Sequence, residues 1–211
     1  MKPLADCKLY TFVDAAYLNG RAPEAVAQQL CDGGSDLIQL RAKKSSPEEI
    51  RDMAEKIVPI TKRAGVNFVI NDYQDIAQGV GAEFCHLGQG DFFDAGYRQV
   101  SKLELGNLKI GLSTHAPDQA QRAVKAGPDY IAIGPIFATK TKPGRMPVTL
   151  EYVRWAAENV TIPWFAIGGI NLENLADVIK AGARRICVVS AILNAPDIAK
   201  ACGEFRKRLT F

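Results

Sequence analysis

Eight short apolar runs alternate with amphipathic stretches along these 211 residues, and the alternation predicts an α/β protein folded as a single (β/α)8 TIM barrel over residues 1–211. Most of the apolar runs are too short for helices, and strands that are buried on both faces pair in parallel. No linker or low-complexity segment interrupts the repeats. Closure into a barrel is therefore favoured, and a doubly wound open sheet is the alternative.

The apolar runs and the stretches between them define the individual elements. The predicted strands are residues 8–14, 36–42, 67–72, 84–89, 109–115, 130–137, 164–170 and 185–192. The predicted helices are residues 23–31, 47–64, 73–80, 117–126, 150–159, 172–181 and 197–209. Ser46 and Asn171 are expected N-caps, and Gly127 and Gly182 are expected to end helices in the left-handed conformation. The stretch 91–108 lacks a clean helical period and predicts a short or displaced helix.

Composition excludes several classes of protein. The net charge of +3 and the pI near 8.6 are mild and the basic residues are scattered, which indicates no nucleic-acid partner but leaves small anionic ligands open. The five cysteines form no CxxC pair, which favours a reduced cytoplasmic compartment. No apolar run reaches the ~18 residues of a membrane span, and the start MKPLADCKLY lacks a signal-peptide core. We expect a cytoplasmic protein without a membrane partner, and a homo-oligomer stays open.

Polar side chains follow the second predicted strand on one face. Gln39, Arg41 and Lys43 alternate within QLRAK, so with a period of two they point the same way. Active sites of such barrels lie at the carboxyl ends of the strands, so this face is expected at the barrel mouth or interior. The segment therefore predicts two cations at a ligand site, with a salt bridge to a neighbouring strand as the alternative for Arg41.

Two carboxylates follow the third and fourth strands. Asp72 ends the third strand, and Asp91 lies in the Gly-Gln-Gly-Asp segment after the fourth. Carboxylates from adjacent strand ends suit a Mg²⁺ ion that has few protein ligands and also binds substrate phosphate oxygens. The alternatives are that Asp72 caps the next helix and that Asp91 sits in a glycine turn.

The fifth strand ends in Ser113, Thr114 and His115. A nucleophilic triad is rejected because Ser113 has neither a GxSxG elbow nor a committed acid partner. We expect Ser113 to donate a hydrogen bond to a ligand, and His86 and His115 to be structural.

The loop 134–147 (GPIFATKTKPGRMP) brings hydroxyls and cations together after the sixth strand. Thr139, Lys140, Thr141 and Lys142 suit phosphate oxygens, although a solvated surface loop is the alternative. Gly168 and Gly169 after strand seven and Ser190 after strand eight predict a second phosphate site, because helix starts there expose backbone amides. The glycines could instead only ease a turn.

The segments QLRAK, IND, HLGQGD, GLSTH, GPIFATKTK, AIGGI and VVSAI, in this order, resemble the thiamine phosphate synthase family. The resemblance extends from Lys8 to about Ile192. It implies a TIM-barrel transferase that joins hydroxymethylpyrimidine diphosphate to hydroxyethylthiazole phosphate and releases pyrophosphate with Mg²⁺. It also implies departure of pyrophosphate to leave a pyrimidine carbocation, which the thiazole nitrogen captures.

The resemblance assigns roles to individual residues. The pyrimidine diphosphate would be bound by Gln39, Leu40, Arg41, Ala42, Lys43, Asn71, Ser113 and Lys142. The thiazole phosphate would be bound by Thr139, Lys140, Thr141, Gly169, Val189 and Ser190. Mg²⁺ would be held by Asp72 and Asp91, and the catalytic residues would be Arg41, Lys43, Lys142 and Ser113.

The chain departs from the family pattern at two places. Thr149 stands near a position where the family usually has glycine, and Val13-Asp14 replaces a Thr-Asp pair at the end of the first strand. Two other functions remain as alternatives. A related thiazole tautomerase would make His115 an acid–base group, and a homologue without catalytic activity would only bind phosphorylated ligands.

Overall fold

Eight parallel strands close into a barrel in chain order in the computed structural model, which describes residues 1–103, 106–139 and 146–209. The strands are β1 Leu9–Asp14, β2 Leu37–Arg41, β3 Asn67–Asn71, β4 Phe84–Leu87, β5 Lys109–Thr114, β6 Tyr130–Ile133, β7 Trp164–Ile167 and β8 Ile186–Cys187. β1 pairs with both β2 and β8, so the sheet has no open edge. The predicted barrel is confirmed, and the open doubly wound sheet is excluded.

The helices other than α7 follow the predicted amphipathic stretches. The helices are α1 Pro23–Asp32, α2 Pro47–Ala64, α3 Gln74–Val80, α4 Pro117–Ala126, α5 Thr149–Asn159, α6 Leu175–Lys180, α7 Ser190–Leu193 and α8 Ile198–Arg208. Ser46 caps α2 as predicted: its hydroxyl accepts from the Glu49 amide, and the Glu49 carboxylate accepts from the Ser46 amide. Gly127 ends α4 with a φ of 79°.

Several predicted boundaries in the second half of the chain are wrong. Asn171 does not cap a helix that starts at Leu172; it accepts from the amides of Glu173 and Asn174, forming a turn, and α6 begins only at Leu175. β6 ends at Ile133 because Gly134 (φ 158°) and Pro135 follow, and proline has no amide to donate. The predicted strand 185–192 shortens to two residues, since a short helix, α7, already begins at Ser190.

The fourth crossover is irregular, as predicted. Residues Gly90–Asp94 form one π-helical turn, and Val100–Lys102 form a 3₁₀ turn. Phe92 and Phe93 are buried within the π-helical turn and pack edge to face at 4.9 Å. Asp91 is the second residue of this turn and lies four residues after the end of β4.

A buried carboxylate joins three parts of the chain at the amino-terminal end of the barrel. Asp36 precedes β2 and is only 5% exposed. It pairs with Lys2 and Arg206, both at 2.6 Å, and it accepts from the backbone amides of Lys8 and Leu9. The N-terminal segment, β1 and α8 are therefore tied together through one side chain.

Thr149 at the start of α5 has a left-handed backbone, with a φ of 62°. A β-branched residue is strained there by roughly 1–2 kcal/mol, which explains physically why glycine suits this position. The Thr149 hydroxyl accepts from the Glu151 amide at 3.3 Å and so contributes to the helix start.

We expect Thr149→Asn to raise the free energy of unfolding by about 1 kcal/mol, because asparagine tolerates the left-handed region and keeps an acceptor for the helix start. Urea denaturation measures the change. Thr161→Asn is the matched control, since Thr161 is exposed and outside the left-handed region. An equal gain in both variants would rule out backbone strain as the cause.

Within the described ranges no helix has both the length and the apolar character that a membrane span requires. The five cysteines are free thiols, and four of them are buried. Burial raises the pKa of Cys7 and Cys31 to about 11, which keeps these thiols protonated.

Candidate active site

A cavity of about 820 Å³, including the solvent at its mouth, opens at the carboxyl ends of the strands. Every strand or the loop that follows it contributes to the wall, as expected for a catalytic barrel. The lining residues are Tyr10, Phe12, Gln39, Arg41, Lys43, Asn71, Asp72, His86, Gly88, Asp91, Ser113, Thr114, His115, Ala132, Gly134, Pro135, Thr139, Ile167, Gly168 and Cys187.

The predicted polar face of β2 lines this cavity. Gln39, Arg41 and Lys43 all contribute to the wall, so the period-two argument is confirmed. Arg41 pairs with Asp14 of β1 at 2.7 Å, and the strand register places these two residues side by side. The anticipated salt bridge to a neighbouring strand therefore exists, and its partner orients the guanidinium at the cavity wall.

Leu40 and Ala42 lie on the other face of the same segment. Both side chains are buried in the hydrophobic core. A ligand contact by either residue, as the resemblance implies, would therefore use its backbone. Asn71 ends β3 and lines the cavity as expected.

The two predicted metal ligands face the cavity close to each other. Burial raises the pKa of the Asp72 carboxyl; the ammonium of Lys43, which is hydrogen-bonded to it, opposes this rise, and the negative charge of Asp91 adds to it. Asp72 has a left-handed backbone with a φ of 68°, and α3 begins only at Gln74, so Asp72 does not cap that helix. Asp91 accepts from the Gly88 amide at 3.0 Å, as the glycine-turn alternative anticipated.

The two carboxylates suit a hard cation that takes only some of its ligands from the protein. In the part of the chain that the structure describes, no group of three or more His, Cys, Asp and Glu side chains gathers as a metal site. Two adjacent carboxylates whose negative charges repel each other fit Mg²⁺, because the cation relieves the repulsion and commonly keeps waters and substrate oxygens as its remaining ligands. Asp72 and Asp91 therefore fit the ion implied by the resemblance.

Ser113 on β5 lines the cavity and bonds to a histidine. The distance from its Oγ to Nε2 of His86 is 2.8 Å. Nδ1 of His86 meets the Tyr130 hydroxyl at 3.1 Å, where a nucleophilic triad would place a carboxylate. The geometry agrees with the rejection of a triad.

His115 has a different environment from His86. Its Nδ1 donates to the Gly134 carbonyl oxygen at 2.5 Å, and its backbone amide donates to the Gln119 side chain at 3.0 Å. Its ring therefore bridges the end of β5 and the start of the loop after β6.

Buried polar side chains cross the barrel beneath the cavity, and the sequence interpretation missed most of them. The Gln39 amide donates to the Tyr10 hydroxyl at 2.6 Å, and this hydroxyl lies 3.0 Å from that of Tyr130. Burial raises the pKa of both Tyr10 and Tyr130 well above the ordinary value, so both phenols stay protonated. Tyr10 and Phe12 alternate along β1, and the same period-two argument that found Gln39 would have found them.

Glycines let the loops after β6 and β7 pack backbone to backbone. A Cβ on Gly134 would lie 2.1 Å from the Ile167 carbonyl oxygen, and a Cβ on Gly169 would lie 2.7 Å from Cβ of Phe137. The Phe137 amide donates to the Gly168 carbonyl at 3.0 Å. These glycines therefore bring the two loops together as well as turning the chain.

The remaining predicted residues lie at the same end of the barrel. Thr139 lines the cavity, whereas Lys140, Thr141 and Lys142 lie outside the described residues. Gly169 follows the lining residue Gly168. Val189 is the N-cap of the four-residue helix α7, and Ser190 is its first residue. A short extra helix after the eighth strand is a common phosphate-binding element of this fold.

A closed (β/α)8 barrel whose mouth combines cations, paired carboxylates and hydroxyls is the architecture of an enzyme for phosphorylated small molecules. A family model described as thiamine monophosphate synthase matches residues 9–192. The chain belongs to this family.

Individual relatives agree with this assignment. A protein of Thermus thermophilus named thiamine-phosphate synthase is 47% identical over 178 residues, which cover 84% of this chain and 84% of that protein. One of Chloroflexus aurantiacus with the same name is 40% identical over 204 residues, covering 96% and 93%. The solved structure of thiamine phosphate pyrophosphorylase from Pyrococcus furiosus matches with a TM-score of 0.85 and 32% identity, covering 96% of this chain and 95% of that one.

Proposed function

We propose that this chain is a transferase that synthesises thiamine phosphate, joining hydroxymethylpyrimidine diphosphate to hydroxyethylthiazole phosphate with release of pyrophosphate. The proposal depends on one observation: this chain belongs to the family, and its cavity is lined by two carboxylates and two cations. The carboxylates are those of Asp72 and Asp91, and the cations are Arg41 and Lys43. Two carboxylates and two cations together suit a diphosphate with its metal ion. The thiamine-phosphate synthases of similar sequence support the same reaction.

Arg41 and Lys43 are the described cations that would bind the diphosphate. A guanidinium offers a planar fork of donors to phosphate oxygens, and an ammonium offers a compact charge. Asp14 and Asp72 hold these two side chains at the cavity wall. From the sequence, Lys142 would join them from the loop after β6.

Asp72 and Asp91 would hold Mg²⁺ at the same place. When bound, the ion would supply positive charge to the oxygens of the diphosphate and of the departing pyrophosphate. The protein contributes the position of both carboxylates, through the left-handed backbone at Asp72 and the hydrogen bond from the Gly88 amide to Asp91.

The thiazole phosphate would bind on the other side of the mouth. Gly169, Val189 and Ser190 follow β7 and β8, where backbone amides at the start of α7 can donate to phosphate oxygens. Thr139, with Lys140 and Thr141 from the sequence, would complete this site. The two substrates would thus meet across the cavity.

The proposed reaction needs positioning and charge stabilisation but no protein nucleophile. The bond between the pyrimidine methylene carbon and the diphosphate oxygen breaks, and its electron pair leaves with pyrophosphate. The lone pair of the thiazole nitrogen then forms the new bond to that carbon. Arg41 and Lys43 stabilise the leaving charge, and Ser113 orients the pyrimidine ring by a hydrogen bond.

We expect purified protein with both substrates and Mg²⁺ to form thiamine phosphate and pyrophosphate in equal amounts. Chromatography of the product and an enzymatic pyrophosphate assay measure the two yields. Omitting either substrate, or removing Mg²⁺ with a chelator, should abolish both. Absence of product with both substrates and Mg²⁺ would contradict the proposal, and conversion of thiazole phosphate isomers alone would support a tautomerase.

A further inference from the structure

Five side chains from five different strands form one continuous hydrogen-bonded series through the barrel interior. The series runs from Gln39 to Tyr10, then to Tyr130, His86 and Ser113, with successive distances of 2.6, 3.0, 3.1 and 2.8 Å. All five residues are at most 7% exposed. We call this series the interior relay; Ser113 is the end at which it reaches the predicted pyrimidine site.

The hydrogen bond from Gln39 to Tyr10 has a defined donor, and it indicates one direction for the whole interior relay. The Gln39 amide nitrogen can only donate, so the Tyr10 oxygen accepts and its proton turns to the Tyr130 oxygen. The Tyr130 proton then turns to Nδ1 of His86. A neutral imidazole whose Nδ1 accepts carries its proton on Nε2, and that proton is donated to Ser113 Oγ.

We propose that the interior relay holds His86 in the Nε2–H form and thereby directs the Ser113 proton away from His86, into the cavity, as a donor to an aromatic ring nitrogen of the substrate. Tyr10, Tyr130 and His86 are positioning residues in this arrangement. The inference rests on the proposed function for the identity of the ligand, but the proton positions are independent of it. A ring nitrogen of an aminopyrimidine is an acceptor, so a committed donor selects it over groups that themselves donate.

The packing around Tyr130 keeps the interior relay in place. Tyr130 pairs with Gly111 across β5 and β6, and a Cβ on Gly111 would lie 2.1 Å from Cζ of the Tyr130 ring. The Tyr130 ring therefore occupies space that is free only because Gly111 has no side chain. Tyr130 also packs edge to face against Tyr10 and Phe165, with centroids 5.9 and 5.5 Å apart.

The chain contains two histidines, and the geometry assigns them opposite tautomers. His115 donates from Nδ1 to the Gly134 carbonyl, which can only accept, so its proton is on Nδ1. We expect long-range ¹H–¹⁵N NMR of the full chain at about pH 8, above the ordinary histidine pKa, to show one ring of each form. A His86 ring protonated on Nδ1 would overturn the proposal. This measurement requires no turnover, so its failure and that of the coupling reaction are distinguishable.

Tyr130→Phe removes the hydroxyl that bonds to Nδ1 of His86 and keeps the ring. We expect a rise in the Nδ1–H form of His86, no change at His115, and about a tenfold loss of kcat/KM for the pyrimidine diphosphate. The KM for the thiazole phosphate should stay within about twofold. Tyr152→Phe is the matched control, because Tyr152 is also buried and hydrogen-bonded, to Thr114 and the Ala116 carbonyl, but lies outside the interior relay.

A double-mutant cycle tests whether Tyr130 acts through Ser113. In a Ser113→Ala background, Tyr130→Phe should cause no further loss of kcat/KM, since the donor that the relay directs is already absent. An equal loss in both backgrounds would overturn the proposal in favour of a purely structural role, as would an unchanged His86 spectrum in Tyr130→Phe.

Discussion

Replacing Asp91 by asparagine is expected to lower kcat at least about a hundredfold, because the amide keeps the shape of the carboxylate but not its charge. Asp91 lies on the π-helical turn Gly90–Asp94, beside Asp72, and these are the two carboxylates that would hold Mg²⁺. The Mg²⁺ concentration for half-maximal rate should rise as well. Pyrophosphate release at varied Mg²⁺ measures both changes.

Asp94→Asn is the control for this experiment. Asp94 is exposed on the same π-helical turn, three residues after Asp91, and lies outside the cavity wall. It should keep the kcat and the Mg²⁺ dependence of the unchanged protein. In Asp91→Asn the pKa of Asp72 should fall, since a neighbouring negative charge that raises it has been removed. A normal rate and Mg²⁺ dependence in Asp91→Asn would refute its assignment as a metal ligand.

Replacing Asp36 by alanine is expected to lower the free energy of unfolding by about 2–4 kcal/mol. The substitution leaves the amides of Lys8 and Leu9 without this acceptor and breaks the pairs with Lys2 and Arg206. The two cations are about one-third exposed, so water recovers part of the loss and the expected effect lies below that of a fully buried pair. Urea denaturation followed by circular dichroism measures the change.

Glu204→Ala provides the comparison for Asp36. Glu204 pairs with Lys207 at 2.9 Å on the exposed side of α8, and both side chains are in contact with solvent. An exposed pair of this kind contributes little to stability, so we expect no measurable change in the free energy of unfolding. If the two substitutions cost the same, the role of Asp36 in joining β1, α8 and the N-terminal segment would be wrong.

The sequence predicted those parts of the fold that depend on local patterns. Alternating apolar runs fixed the order of the eight strands, and Ser46 with Glu49 formed the expected cap. The ends of β6, β7 and β8 were predicted too long because those runs stay apolar after pairing stops. The chain leaves the sheet after Ile133, where Gly134 and Pro135 follow, and the Ile136 amide then bonds to the Ile167 carbonyl at the end of β7, a contact that no local pattern reports.

In the candidate site, too, the sequence predicted what depends on local patterns and not what depends on distant contacts. Gln39, Arg41 and Lys43 could be placed on one face because side-chain direction alternates along a strand. The pairing of Arg41 with Asp14 depends on the register of β1 against β2, and the contact of Tyr10 with Tyr130 joins residues 120 positions apart. Such contacts form when the barrel closes. The sequence pattern predicts that the barrel closes, but not which side chains meet inside it.

The barrel is closed by its shortest strand. β8 has two residues, each paired to β1 on one side and to β7 on the other. Cavity residues stand on both sides of this seam, with Phe12 on β1 and Cys187 on β8. A ligand that contacts both β1 and β8 would stabilise the pairing that closes the barrel. Ligand binding would therefore raise the free energy of unfolding.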